Sequence, residues 1–287
     1  MINFKIKSYC KVNLSLRVLK RLNNGYHKIS SFITFCNLHD TISISQIKNK
    51  KDQIYFSGKF NKGINNNSNT ITKVINLFRK EKLLKKQVFK IQVQKNIPHS
   101  SGLGSGSANA ADLMNFLNLK MKLKIKKKRL EKLAFKIGSD VPICLEKKNT
   151  FLTGKKDEII RLNQQLKLII LIVYPNLFCS TKKVYKKNKI YSLINSKLNF
   201  KRIKSNEIFN FLLSENNDLE QATIKIYPKI KKIIDYIRFQ NGCYFSRITG
   251  SGSACIGVFS DIKNAKYAQK MINLKYPKYW CVTSKTI

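Results

Sequence analysis

Acidic side chains are scarce in this chain: 15 Asp and Glu stand against 56 Lys and Arg, a formal charge of +41. Such an imbalance first suggests nucleic acid or a membrane surface as partner. The lysines, however, run along the whole chain among many Asn and Ile residues instead of gathering in one patch, a spread that fits compositional drift. No specific nucleic-acid partner is expected, and a polyanionic small molecule suits the charge equally well. Histidine is scarcer still, at three residues, and both H-E-x-x-H and G-x-S-x-G are missing. Zinc-protease and esterase chemistry therefore lack support.

Long apolar runs are also missing. The longest, Leu168 to Tyr174, has seven residues and cannot span a bilayer. It reads as a buried strand. The start, MINFKIKSYCKVNLSL, has no apolar core of signal-peptide length. The seven cysteines are odd in number and contain no C-x-x-C pair, which argues against a disulfide framework or a zinc site. Reduced thiols and a cytoplasmic location are the expectation.

What is present centres on residues 89 to 117. Phe89, Ile91 and Val93 alternate with Lys90, Gln92 and Gln94, the period of a half-buried strand. Ala110, Leu113, Met114 and Leu117 recur at the spacing of one helix face. Between them runs NIPHSSGLGSGSANAA, with Gly102, Gly104 and Gly106 among Ser100, Ser101, Ser105 and Ser107. Glycines admit positive φ and close backbone approach, and the free N–H groups of a helix start attract an anion. A phosphate loop is one reading and a flexible Gly/Ser turn is the other. A Walker A loop is excluded because no Gly-Lys-Ser/Thr follows. A dinucleotide fingerprint lacks its acid, since no acidic residue follows Asp112 until Glu131.

Around this loop the pattern predicts strands within 2–20, a turn at Arg21 to Gly25, and strands over Thr41 to Ile47 and Gln53 to Ser57. A polar loop over Asn61 to Thr70 precedes a helix beginning at Ile71. Leu130, Leu133, Ala134 and Ile137 form a further helical stripe that Gly138 stops. After a second half beginning near Lys155 come a Lys- and Asn-rich stretch over 182–206, strands over Tyr244 to Ile248 and Cys255 to Phe259, a helix over 262–273 and a strand over 279–283. KLKIKKKR and KKVYKKNK read as solvated faces or loops. The irregular alternation favours an α+β fold, with a chain length suiting two domains, 1–154 and 155–287.

The loop PHSSGLGSGSANAA resembles that of the GHMP kinases, P-x-x-x-G-L-G-G-G-S-S-N-A-A. Pro98, Gly102, Leu103, Gly104, Gly106, Ser107, Asn109, Ala110 and Ala111 match, while Ser105 replaces a usual glycine and Ala108 a usual serine. Three further segments, in order, resemble the branch acting on a cytidine-diphosphate-linked polyol. They are Lys11-Val12-Asn13-Leu14 followed by Asn24-Gly25-Tyr26-His27, then Ile137 to Pro142, then Ser246 to Cys255.

The resemblance implies an ATP-dependent kinase of the two-domain GHMP fold, with an S5 domain 2-like N-terminal half and a ferredoxin-like C-terminal half. The last strand is a candidate to return to the first domain. ATP lies along Pro98, Gly102, Leu103, Gly104, Ser105, Gly106, Ser107 and Asn109, with Lys95 and Asn69 near its adenine. The acceptor, expected between the domains, meets Asn13, Tyr26, His27, Thr181, Tyr185, Gly250 and Gly252, with Tyr26 and Tyr185 sandwiching the cytosine. Lys11 and Asp140 are the catalytic pair. On the residues alone, Asp140 is equally a helix N-cap, and Lys11 a side chain that snorkels to solvent. Mg2+ accompanies ATP; no acidic ligand stands out, and Ser107 is a candidate ligand. Rival acceptors are homoserine and mevalonate, and a rival class is an RNA-binding protein.

Overall fold

The computed structural model describes residues 3–23, 25–153, 158–193 and 203–287. Asn24, the expected 154/155 boundary with Lys155, and residues 194–202 of the Lys- and Asn-rich stretch lie outside the described residues. The elements, in chain order, are β1 (Phe4–Asn13), β2 (Arg17–Arg21), β3 (His27–Ile47), β4 (Gln53–Ser57), α1 (Thr70–Lys80), β5 (Val88–Gln94), α2 (Ser105–Lys120), α3 (Lys127–Ile137) and α4 (Val141–Cys144). They continue as β6 (Thr150–Leu152), β7 (Ile159–Arg161), β8 (Ile169–Tyr174), α5 (Thr181–Lys187), α6 (Ser205–Ser214), α7 (Glu220–Ile226), α8 (Lys229–Arg238), β9 (Cys243–Ile248), β10 (Cys255–Phe259), α9 (Ile262–Lys275) and β11 (Trp280–Lys285).

The chain divides into two compact units, each assembled from three segments. The first comprises Met1–Cys10, Leu38–His99 and Gly104–Lys147, the second Lys11–Asn37, Ser100–Leu103 and Lys148–Ile287. In the first, β5 pairs antiparallel with the later half of β3 (Ile44 opposite Ile91) and parallel with β4 (Ile54 opposite Ile91). The buried Phe89, Ile91 and Val93 bear out the period-2 reading of β5. Helix α1 turns Ile71, Val74, Ile75 and Phe78 inward, the i, i+3, i+4, i+7 stripe of an amphipathic helix. Helix α2 is less one-sided than its sequence suggests: Ala108, Ala111 and the polar Ser105 and Asn109 are buried along with the expected stripe. Gly138 caps α3 as expected.

In the second unit the earlier half of β3 pairs with β2 (Arg17 opposite Ser30) and β6 (Phe32 opposite Phe151), and β6 with β7. A separate four-stranded antiparallel sheet has the order β11-β8-β10-β9. Its core takes Leu171 and Val173 of β8, Ile248 of β9, four isoleucines of α8 (Ile230, Ile233, Ile234, Ile237) and Ala265, Ala268 and Ile272 of α9. Burying each isoleucine contributes about 2 kcal/mol. Just past β11, Thr286 bridges Cys36 and the Ile287 N–H donates to the Phe35 carbonyl.

Two readings change. Strand β3 runs for 21 residues, where only its end, Thr41 to Ile47, was legible. Its middle, Ser30 to Cys36, is buried without interruption, so no period marks it. KKVYKKNK is largely helix α5, anchored by the buried Val184. All seven cysteines are free thiols. Burial pushes Cys179 and Cys243 up to about 11 and Cys281 to about 12, which keeps them protonated. Among the described residues, no helix is long and apolar enough to cross a membrane.

Candidate active site

The glycine-rich loop divides between the units, and each part has its own reason for its shape. In the first unit, Gly104 takes φ 64° as the N-cap of α2 and offers no side chain to the helix start. The first intrahelical bond runs from the Ala108 N–H to the Gly104 carbonyl at 2.9 Å. The preceding N–H groups of Ser105, Gly106 and Ser107 therefore belong to the set an α-helix leaves for an outside acceptor. The positive end of the helix dipole favours an anion there. Ser105 is itself helical, so replacing a glycine brings no backbone strain.

In the second unit, Gly102 lies at φ 86°, and an added Cβ would meet the Thr249 carbonyl oxygen at 2.1 Å. The Lys11 N–H donates to the Leu103 carbonyl at 3.1 Å and the Ala254 N–H to the Ser101 carbonyl at 2.9 Å. The loop Thr249–Ser253, with Gly250 at φ 57° and Gly252 at φ 79°, thus packs backbone to backbone against Ser101–Leu103. Asn217 holds it from below, donating to the carbonyls of Ile248 and Gly250 at 3.0 and 2.8 Å. Thr181 and Ser251 share a hydroxyl–hydroxyl bond of 2.9 Å, so Thr181 and Gly250–Gly252 form one patch.

Lys11 does not snorkel. It is 4% exposed, and its ammonium donates to Asn13 Oδ1 at 2.6 Å. Asn13 in turn donates Nδ2 to the Ser31 hydroxyl at 2.8 Å, and its N–H goes to Thr249 Oγ1. Its side chain thus orients Lys11. Asp140 is half-buried, and its carboxylate makes no capping bond to α4, so the N-cap alternative fails.

His27 and Tyr185 lie ring against ring, with centroids 4.8 Å apart and planes tilted by 31°. The expected partner of Tyr185, Tyr26, is instead 67% exposed. Burial first, then the nearby Arg21 charge, lowers the His27 pKa, keeping the ring neutral at pH 7.

Lys95 faces inward. The Lys95 ammonium, 1% exposed, donates to Asp40, to the Ser105 hydroxyl and to Asn109 Oδ1 at 2.9 Å. An ammonium has three hydrogens, and all are used within the fold. Burial lowers its pKa, with the Asp40 charge opposing. Asn109 completes the cluster by donating to Ser8. Pro98 is buried, and Ser107 is half-buried on the first turn of α2. Asn69 accepts the Thr72 N–H at 2.9 Å as the N-cap of α1 and donates to the carbonyls of Asn65 and Asn66. Asn69→Ala is therefore expected to cost about 1 kcal/mol and lower Tm by about 2–4 °C, with the KM for ATP within about twofold. A large rise in that KM at unchanged Tm would count against the capping role.

Asp40 and Asn217 escaped sequence reasoning. Asp40 did leave a trace: an acid inside the strand pattern of NLHDTISI, costly to bury unless partnered. Asn217 left none. Among the described residues, no group of three or more His, Cys, Asp or Glu could hold a metal ion.

Comparison with known proteins decides the family. The GHMP kinases N terminal domain matches residues 69–148 and the GHMP kinases C terminal domain residues 199–278. A 4-diphosphocytidyl-2-C-methyl-D-erythritol kinase of Pelagibacter ubique (strain HTCC1062) is 38% identical over 287 residues, covering 100% of both chains. This chain belongs to the GHMP kinases. Among them, the kinase of the same name from Wolbachia pipientis wMel is 31% identical over 296 residues, again at 100% of both chains. A crystal structure of 4-(cytidine 5'-diphospho)-2C-methyl-D-erythritol kinase superposes with a TM-score of 0.76 at 22% identity, over 98% of this chain and 99% of that one. The homoserine kinase of Cytophaga hutchinsonii ATCC 33406 gives 0.73 at 15% identity, over 99% and 95%. These likenesses establish the α+β fold of the GHMP kinases for this chain.

Proposed function

We propose that this chain transfers the γ-phosphoryl group of ATP to the 2-hydroxyl of 4-diphosphocytidyl-2-C-methyl-D-erythritol, a step in isoprenoid precursor synthesis in the cytoplasm. The observation that carries the reading is the full-length likeness to kinases of that name at 38% and 31% identity.

Phosphoryl transfer depends mostly on positioning and charge stabilisation. The N–H groups of Ser105, Gly106 and Ser107 at the start of α2 are assigned to the ATP phosphates. Asp140 accepts the proton of the acceptor hydroxyl as its oxygen attacks the γ-phosphorus and ADP leaves. The Lys11 ammonium, oriented by Asn13, steadies the charge that develops. The patch of Thr181, Gly250 and Gly252 is assigned to the acceptor's phosphates. Mg2+ is expected with ATP, and a metal held chiefly by phosphates and water needs few protein ligands; Ser107 offers a hydroxyl. When bound, it neutralises phosphate charge.

The cytosine is assigned to Tyr185, with the exposed Tyr26 closing over it and His27 bonding its edge. Stacking on an aromatic ring is worth roughly 1–3 kcal/mol. Tyr185→Ala should therefore weaken acceptor binding about 10- to 100-fold while the KM for ATP holds. Neutral His27 has one donor and one acceptor nitrogen. Because its pKa is lowered from 6.5, acceptor binding should stay level above that pH. It should weaken as pH falls through the lower value and the acceptor nitrogen gains its proton. The deciding assay offers purified enzyme ATP with the cytidyl substrate, homoserine and mevalonate in turn. Turnover of the cytidyl substrate alone, inhibited by CMP, supports the assignment. Efficient turnover of homoserine or mevalonate without inhibition by CMP overturns it.

A further inference from the structure

Asp40 ties the two flanks of the glycine loop together. It is fully buried in the later half of the long strand β3. Its Oδ1 accepts the N–H groups of Asn96 and Ile97 at 2.8 and 3.0 Å, the two residues immediately before Pro98. Its Oδ2 accepts the Ser105 hydroxyl at 2.9 Å and Asn109 Nδ2 at 3.1 Å, from the first and second turns of α2. One carboxylate thus grips the chain before the loop with one oxygen and after it with the other. Lys95 neutralises it and binds the same Ser105 and Asn109 side chains.

The arrangement has little to recommend it for stability alone. A buried ion pair is often no better than well-packed apolar groups. What it supplies is direction. Hydrogen bonds to a fixed carboxylate set where α2 begins relative to the strand that leads into the loop. Ser105 and Asn109 stand four residues apart on one helix face, so the helix start is held at two points and cannot swivel. The N–H groups of Ser105 to Ser107 then aim at one place. Preorganised donors of this kind cost no reorganisation when an anion arrives.

We infer that Asp40, with Lys95, is a positioning residue for nucleotide phosphate: it holds the start of α2 and the run into the loop in the geometry that receives the phosphates. This rests on the proposed use of ATP. It also gives Ser105, where the resemblance led to a glycine, a use as the outer point of the grip.

Removing Asp40 alone would strand a buried ammonium, which is strongly destabilising. The test therefore pairs Asp40→Asn with Lys95→Met, keeping side-chain volume. The full-length variant is compared with the parent by circular dichroism, by direct titration with Mg-ATP, by KM for each substrate, and by hydrogen exchange at the Gly104 to Ser107 amides. We expect a folded protein with at least tenfold weaker Mg-ATP binding, an unchanged KM for the acceptor and faster exchange at those amides. A merely structural role would lower the active fraction and Tm and leave both KM values alone. Should the double variant not fold, Ser105→Gly removes one point of the grip and should weaken Mg-ATP binding about threefold. Parent-like Mg-ATP affinity in a folded double variant, or in Ser105→Gly when the former does not fold, overturns the inference. A parent that does not bind ATP, with exchange at Gly104 to Ser107 still quickened in the variant, would sink the kinase reading and leave the grip standing.

Discussion

Asp140→Asn is expected to lower kcat by about 10²-fold or more, the usual worth of a positioned general base, while Tm and the KM for ATP stay near the parent's. The substitution is close to isosteric, and one common structural cost does not arise. An aspartate before a short helix often caps it, and losing a cap costs about 1 kcal/mol. The Asp140 carboxylate makes no such bond to α4. A fall in activity therefore reports on the carboxylate as a base. Lys11→Met is expected to lower kcat in parallel. It also leaves Asn13 Oδ1 without its donor in a buried position, so a loss of about 1–3 kcal/mol in stability accompanies it. Steady-state kinetics and thermal melts on both variants suffice. A well-folded Asp140→Asn enzyme with normal kcat removes Asp140 from the chemistry.

Gly102→Ala and Gly106→Ala should fail in opposite ways. At Gly102 the new methyl carbon would lie 2.1 Å from the Thr249 carbonyl oxygen, and the φ of 86° is one L-residues avoid. Overpacking costs about 1–3 kcal/mol and the backbone strain about 1 kcal/mol or more. A loss of about 3 kcal/mol lowers Tm by about 6–12 °C. Activity should fall with the folded fraction. At Gly106 the methyl carbon would meet only the Thr70 side chain at 3.6 Å, an ordinary contact, and alanine suits a helix better than glycine. Gly106→Ala should keep or slightly raise Tm and, on the proposed use of the α2 start for ATP phosphates, weaken ATP binding about tenfold by adding a methyl group to a backbone that approaches them. Thermal melts beside ATP titrations separate the two. Equal Tm losses in both variants would show that Gly106, like Gly102, is there for packing.

Strand β5, the loop after it and helix α2 were legible because each rests on local physics. Alternation marks β5, glycines mark the loop, and a 3.6-residue period marks α2. The same holds for α1, α9 and the strands on either side of Thr249–Ser253. Strand β3 was only half legible, because Ser30 to Cys36 are buried on both faces and no alternation survives. Helix α5 was hidden by lysines, since a single buried Val184 is too weak a period.

By itself the sequence determined the kind of chemistry: a strand, a glycine loop and a helix start suited to phosphate, with motifs in an order that places the chain among the GHMP kinases. Those features are set by backbone freedom and by neighbours a few residues away. Only the tertiary structure decided which polar side chains are free to meet a ligand. Lys95 is spent on Asp40, a partner 55 residues away. Asn13 bonds Lys11 and Ser31, Asn69 caps its own helix, and His27 is the ring set against Tyr185. A buried donor takes whichever acceptor the fold brings within about 3 Å, and that acceptor comes from segments whose distance in space no local pattern encodes.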